Sequence, residues 1–173
     1  TSAANPLWSN DYVFQGGEKY ILIANGLISQ TGFDPFIPFD IYVYNPAREA
    51  SSIAGNTDML VFHGATDAPV VDIYEESTGT LIVDNLEYSE FRGYLEGPTG
   101  DYVLEVRDQS GVDVVAKYEA PLASLGLLDQ AVTVVASGFL SPENNSDGAA
   151  FGLFVALPQG GELVPLNSPA ETA

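Results

Sequence analysis

The chain has 173 residues, enough to bury the core of one domain of ordinary size. A hydrophobic content of 46% sets it apart from disordered chains, and no apolar run approaches the roughly 18 residues a membrane helix needs, so membrane insertion is not expected. Its 24 acidic residues against 5 basic ones, a formal net charge of -19, argue against nucleic acid as a partner, because phosphate backbones are bound by clustered Lys and Arg. The absence of cysteine excludes disulfides and thiolate metal sites.

In chain order, the opening "TSAANPLWSN" carries no basic region followed by an apolar stretch, so any signal peptide is expected to be removed or to lie upstream. Short runs rich in Val, Ile, Tyr and Phe then follow one another, divided by Gly, Pro, Asn and Asp. They predict strands over 19–26, 39–44, 59–63, 70–74, 80–84, 102–106, 112–118, 132–139, 151–157 and 162–166. Only "PLASLGLLD" at 121–129 has room for a helical turn, and Gly126 weakens it. The pattern is that of an all-β sandwich or barrel.

The predicted strands repeat. At an offset of 112 residues, "YILIANGLIS" falls on "VTVVASGFLS", matching Ala24 to Ala136, Gly26 to Gly138 and Ser29 to Ser141. The same offset places "FDIYVYNP" on "FGLFVALP", matching Phe39, Val43 and Pro46 to Phe151, Val155 and Pro158. Residues 1–52 are therefore read as the C-terminal half of one β-sandwich repeat, 56–166 as a complete repeat, and 167–173 as a linker or the start of another. A half repeat leaves unpaired strand edges and an uncovered apolar face, so it is expected to pack on the next repeat or on another chain.

Residues 62–76, "FHGATDAPVVDIYEE", hold the single histidine of the chain. "GATDAP" reads as a turn, with Asp67 placed to accept from backbone amides within that turn and Pro69 pushing Ala68 to extended geometry. On the return strand Val71 and Ile73 share one face, and Val70, Asp72 and Tyr74 the other. His63 is expected to bond Asp67 or Asp72, a clasp that pins strand register.

This stretch, with "NLEYSEFRGYLEGPTGDYVLEV" and "AVTVVASG" after it, resembles the bacterial domain-of-unknown-function family 4397. His63, Asp67, Ala68, Pro69, Val71, Asp72 and Tyr74 stand at the positions of that family's signature, with Thr66 where Pro is usual and Val132 where Tyr is usual. The resemblance implies an antiparallel β-sandwich of immunoglobulin-like or transthyretin-like appearance. It also implies export, tandem arrangement and a place in envelope or surface proteins. It implies no catalytic residues.

The residues by themselves assemble little chemistry. Hydrolysis by a Ser-His-Asp set has to use His63, and no Gly-x-Ser-x-Gly elbow is present. One histidine without cysteine falls short of a zinc site. Close acidic pairs such as Glu75 and Glu76 are expected by chance among so many carboxylates. Calcium is the one cofactor with a candidate loop: in "PENNSDGAAF" Glu143, Asn145 and Asp147 alternate ahead of Gly148, without the flanking helices or terminal glutamate of an EF-hand. The aromatic-rich "GFDPFIPFDIYVY" is a contact surface if several rings stay exposed.

The expectation is a non-enzymatic, extracellular structural or adhesive module of the bacterial cell surface, with itself or neighbouring repeats as partners and strand exchange as the means of assembly. A calcium- or carbohydrate-binding domain, with surface glycans as ligands, is the alternative.

Overall fold

A computed structural model describes residues 4–170, so the first residues of the half repeat and the end of the 167–173 tail lie outside the described residues. Eleven strands form two packed sheets and a separate hairpin. The hairpin comprises β1 (Ile21–Asn25) and β2 (Asp40–Tyr44). The first sheet orders β11 (Val164–Pro165), β10 (Gly152–Ala156), β9 (Ala131–Ser137), β3 (Asn56–His63) and β6 (Phe91–Pro98). The second orders β5 (Thr80–Leu86), β4 (Val71–Glu75), β7 (Asp101–Asp108) and β8 (Val114–Pro121).

The chain is a β-sandwich, as its alternating pattern requires. Val61, Val132, Val134, Ala136, Leu153 and Val155 of the five-stranded sheet face Val71, Ile73, Val83, Leu104, Val106 and Ala120 of the four-stranded one, in a single buried cluster. Val71 and Ile73 point inward and Asp72 and Tyr74 outward, as period 2 dictates. One pair departs from the expected antiparallel pattern: β3 and β9 run parallel, from Asp58↔Ala131 to His63↔Ala136. The turn-rich 121–129 segment forms no helix. Leu125 N–H donates to the Pro121 carbonyl and Leu127 N–H to that of Leu122, with Leu122 and Leu127 closing the end of the core.

The outward face of the five-stranded sheet is also covered at β3 and β6, because the β1–β2 hairpin lies on it there. Leu60 and Phe62 of β3 are fully buried yet stand outside the main cluster. Phe62 packs on Tyr42 with ring centroids 5.5 Å apart and on Phe91 at 4.6 Å, and Tyr44 meets Phe91 at 5.2 Å and Tyr94 at 5.9 Å. Such tilted aromatic pairs add about 0.5–1.5 kcal/mol each beyond the area they bury. The molecule thus has three layers and two apolar interfaces.

Residues 48–52 join the hairpin to β3, and Arg48 fixes that crossing. Its guanidinium donates to Asp58 at 2.7 Å and Glu96 at 2.6 Å and lies 4.6 Å above the Tyr94 ring, while its backbone N–H donates to the Tyr94 hydroxyl at 2.7 Å. Asp58 is fully buried and also accepts from Ser52 N–H at 2.9 Å.

Candidate functional site

Of the family-signature residues, His63, Asp67 and Pro69 lie where β3 leaves the sandwich and Asp72 and Tyr74 on β4 of the other sheet, and each is tied to a different neighbour. His63 is buried, and its Nε2 lies 3.1 Å from the Pro69 carbonyl oxygen. A carbonyl only accepts, so Nε2 carries the proton, and Nδ1 has no hydrogen-bond partner among the described residues. Burial pushes the imidazole below its ordinary value, against the upward pull of the Pro69 bond, which keeps the ring neutral. The expected clasp to Asp67 or Asp72 does not form: the Asp67 and Asp72 carboxylates are taken by other donors.

Asp67 does not accept from the amides of its own turn, as its place there suggests, but reaches across to the β9–β10 connection. Its carboxylate accepts from the backbone N–H of Leu140 and of Ser141, each at 2.9 Å, and from the Asn145 side-chain amide at 3.2 Å. Asn145 is 0% exposed and uses both ends of its amide. Nδ2 donates to Asp67 and to the Ser141 carbonyl at 2.9 Å, and Oδ1 accepts from the Asp34 backbone N–H at 3.0 Å. Ser146 Oγ donates to the Gly32 carbonyl at 2.7 Å beside it, and Phe33 packs on Phe139 at 5.8 Å. Residues 64–69, 140–148 and 30–36 are therefore one polar knot with Asn145 at its centre.

Of the candidate calcium ligands, Asn145 points into this knot while Glu143 and Asp147 are exposed, so their alternation does not bring three oxygens to one point. No cluster of three or more His, Cys, Asp or Glu side chains arranged to hold a metal occurs among the described residues. Asp72 is buried on the outward side of β4, where Oδ1 accepts from Asn85 N–H at 2.8 Å and steadies the irregular β4–β5 pairing. Tyr74 lies under the Arg107 guanidinium, 4.1 Å from the ring centroid. Arg107 pairs with Glu105, which Lys117 also contacts at 2.7 Å.

The structure brings Asp67 together with Asn145, 78 residues away, but leaves Asp72 and Tyr74 on the far sheet. Three further determinants carry no signal in the signature: Arg48, its buried partner Asp58, and the backbone of Asp34. Arg48 had one available clue, as one of 5 basic residues in a strongly acidic chain.

These features define a β-sandwich whose signature side chains act as staples between loops and strands. A family model, domain of unknown function (DUF4397), matches residues 57–147, over half of the chain, and the chain belongs to that family. The match covers β3 to β9 and ends inside the knot at Asp147. No curated protein and no solved structure matches the chain. No helix among the described residues is long and apolar enough to cross a membrane.

Proposed function

We propose that this chain is a non-enzymatic structural or adhesive module of a bacterial cell surface, built from repeated sandwiches that associate through strand edges and faces. One observation carries the reading: the β1–β2 hairpin has the same register as β9–β10, residue for residue at the offset of 112. Ile21↔Tyr44 corresponds to Thr133↔Ala156, and Asn25↔Asp40 to Ser137↔Gly152. The bridges Leu27↔Pro38 and Phe139↔Ala150 correspond as well, and Gly26 and Gly138 both have φ 88°. A half sandwich stacked on a whole one is the unit a repeating array needs.

The use of the signature side chains supports a mechanical role. Asp67 and Asn145 have their polar atoms engaged within the protein, and His63 is neutral and buried. Such groups hold loops in place, and function has to be argued from a site rather than from the fold.

Light scattering of the 173-residue chain at low and high salt tests the reading. Assemblies heavier than the 18.4 kDa protomer that survive dilution are expected. A monomer under every condition removes self-assembly, and turnover of any ester, peptide or glycoside substrate that His63→Ala abolishes removes the non-enzymatic role.

A further inference from the structure

A cleft of about 500 Å³ runs beside β1, over the outward face of β9 and β10. Residues 19–25 line one wall without a break, and Thr133, Val135 and Ala156 lie on the floor. Side chains of a strand alternate between its faces, so an unbroken wall is the backbone edge itself. β1 is hydrogen-bonded to β2 on one side only, which leaves its other row of amides and carbonyls facing the cleft.

The register correspondence says what that edge is built to receive. β1 stands as β9 does, and β2 as β10. The second edge of β9 is filled by β3, running parallel, with residues 58–63 set against 131–136. The offset of 112 carries that register onto 19–24, the open edge. The outward side chains of the hairpin agree. Val134, Ala136, Leu153 and Val155 are core residues of the sandwich; their counterparts Leu22, Ala24, Ile41 and Val43 are apolar, and Leu22 is 48% exposed.

Resting on the reading of the chain as a module of a repeating array, we propose that this cleft is the acceptor site for one extended strand of the β3 type from another repeat of the family. The strand adds parallel to β1, with its counterparts of residues 58–63 against 19–24. Main-chain hydrogen bonds supply the affinity and alternate side chains the specificity. The positions equivalent to Leu60 and Phe62 face Thr133, Val135 and Ala156; the position equivalent to Val61 stands beside Leu22 and covers it. The donor comes from another repeat because β3 of this chain is already paired on both edges, with β9 and with β6.

A labelled peptide of residues 55–65, GNTDMLVFHGA, titrated into the intact chain tests the site. Saturable binding is expected, with new hydrogen-exchange protection of the amides of residues 20, 22 and 24, which face the open edge. Leu60→Pro in the peptide, which removes a ladder donor, should weaken binding at least tenfold. Ala156→Trp in the protein should do the same by filling the floor from the outer face of β10, with the melting of the sandwich unchanged as the control. No saturable binding, protection confined to other segments, or full binding by Ala156→Trp overturns the site. A chain that takes up the peptide yet stays monomeric in light scattering keeps this acceptor and loses self-assembly. A chain that assembles but ignores the peptide keeps the array and loses the acceptor.

Discussion

Arg48 is shared by two carboxylates and an aromatic ring, and the balance between them sets the weight of its removal. Glu96 is partly exposed, so solvent screens that pair and it contributes little. Asp58 has no access to water, and without Arg48 its carboxylate is a buried charge facing one backbone amide. Arg48→Met is therefore expected to cost about 3–5 kcal/mol in urea unfolding, and Asp58→Asn in the same chain should recover part of that loss. His63 gives a pH dependence with a definite sign. Its folded value lies below the ordinary 6.5, so on acidification the unfolded chain takes up the proton first. Stability should then fall as pH drops from about 6.5 toward the folded value, and His63→Gln should flatten that part of a melting-temperature profile. The carboxylates act lower. Glu75, held at about 2 chiefly by the Thr78 hydroxyl and then the Ser77 amide, loses its contribution only as pH falls from 4.5 toward 2.

At the scale of elements, Gly26 and Gly138 are a matched pair with unequal consequences. Both have φ 88°, and a Cβ at either would meet a backbone oxygen, that of Pro38 at 2.4 Å or of Ala150 at 2.3 Å. Alanine is strained equally at both. Gly138 ends β9, in the middle of the sandwich, so Gly138→Ala should lower the main unfolding midpoint; Gly26→Ala should raise hydrogen exchange in β1 and β2 while the four-stranded sheet keeps its protection. Most strands were legible because their Val, Ile and Tyr alternate between clear turn signals. β6 was not: Arg92, Gly93, Glu96 and Gly97 interrupt "FRGYLEGP", and the strand survives because it pairs with β3 and packs Phe91 and Tyr94 under the hairpin. The site was less legible than the fold. Turn chemistry points Asp67 at the amides of its own turn, whereas its donors lie 73 and more residues away, and local spacing carries no trace of them.

For the whole molecule, charge sets the working conditions. Each of the five basic side chains lies within 4 Å of a carboxylate: Lys19 by Glu49, Arg48 by Asp58 and Glu96, Arg92 by Glu90, Arg107 by Glu105, and Lys117 by Glu76 and Glu105. The other carboxylates have no cation beside them among the described residues, and with a net charge of -19 they repel one another across a small body. Salt acts on both populations. It weakens the exposed pairs, which contribute little, and it shortens the range of the repulsion from about 10 Å at 0.1 M to about 3 Å at 1 M. The repulsive population is larger, and the most buried pair, Arg48 with Asp58, is screened least. The melting temperature should therefore rise from 0.05 M to 1 M potassium chloride. A melting temperature that falls with salt at pH 7 would mean that the ion pairs outweigh the repulsion, and concentrated salt would then be an adverse setting for this protein.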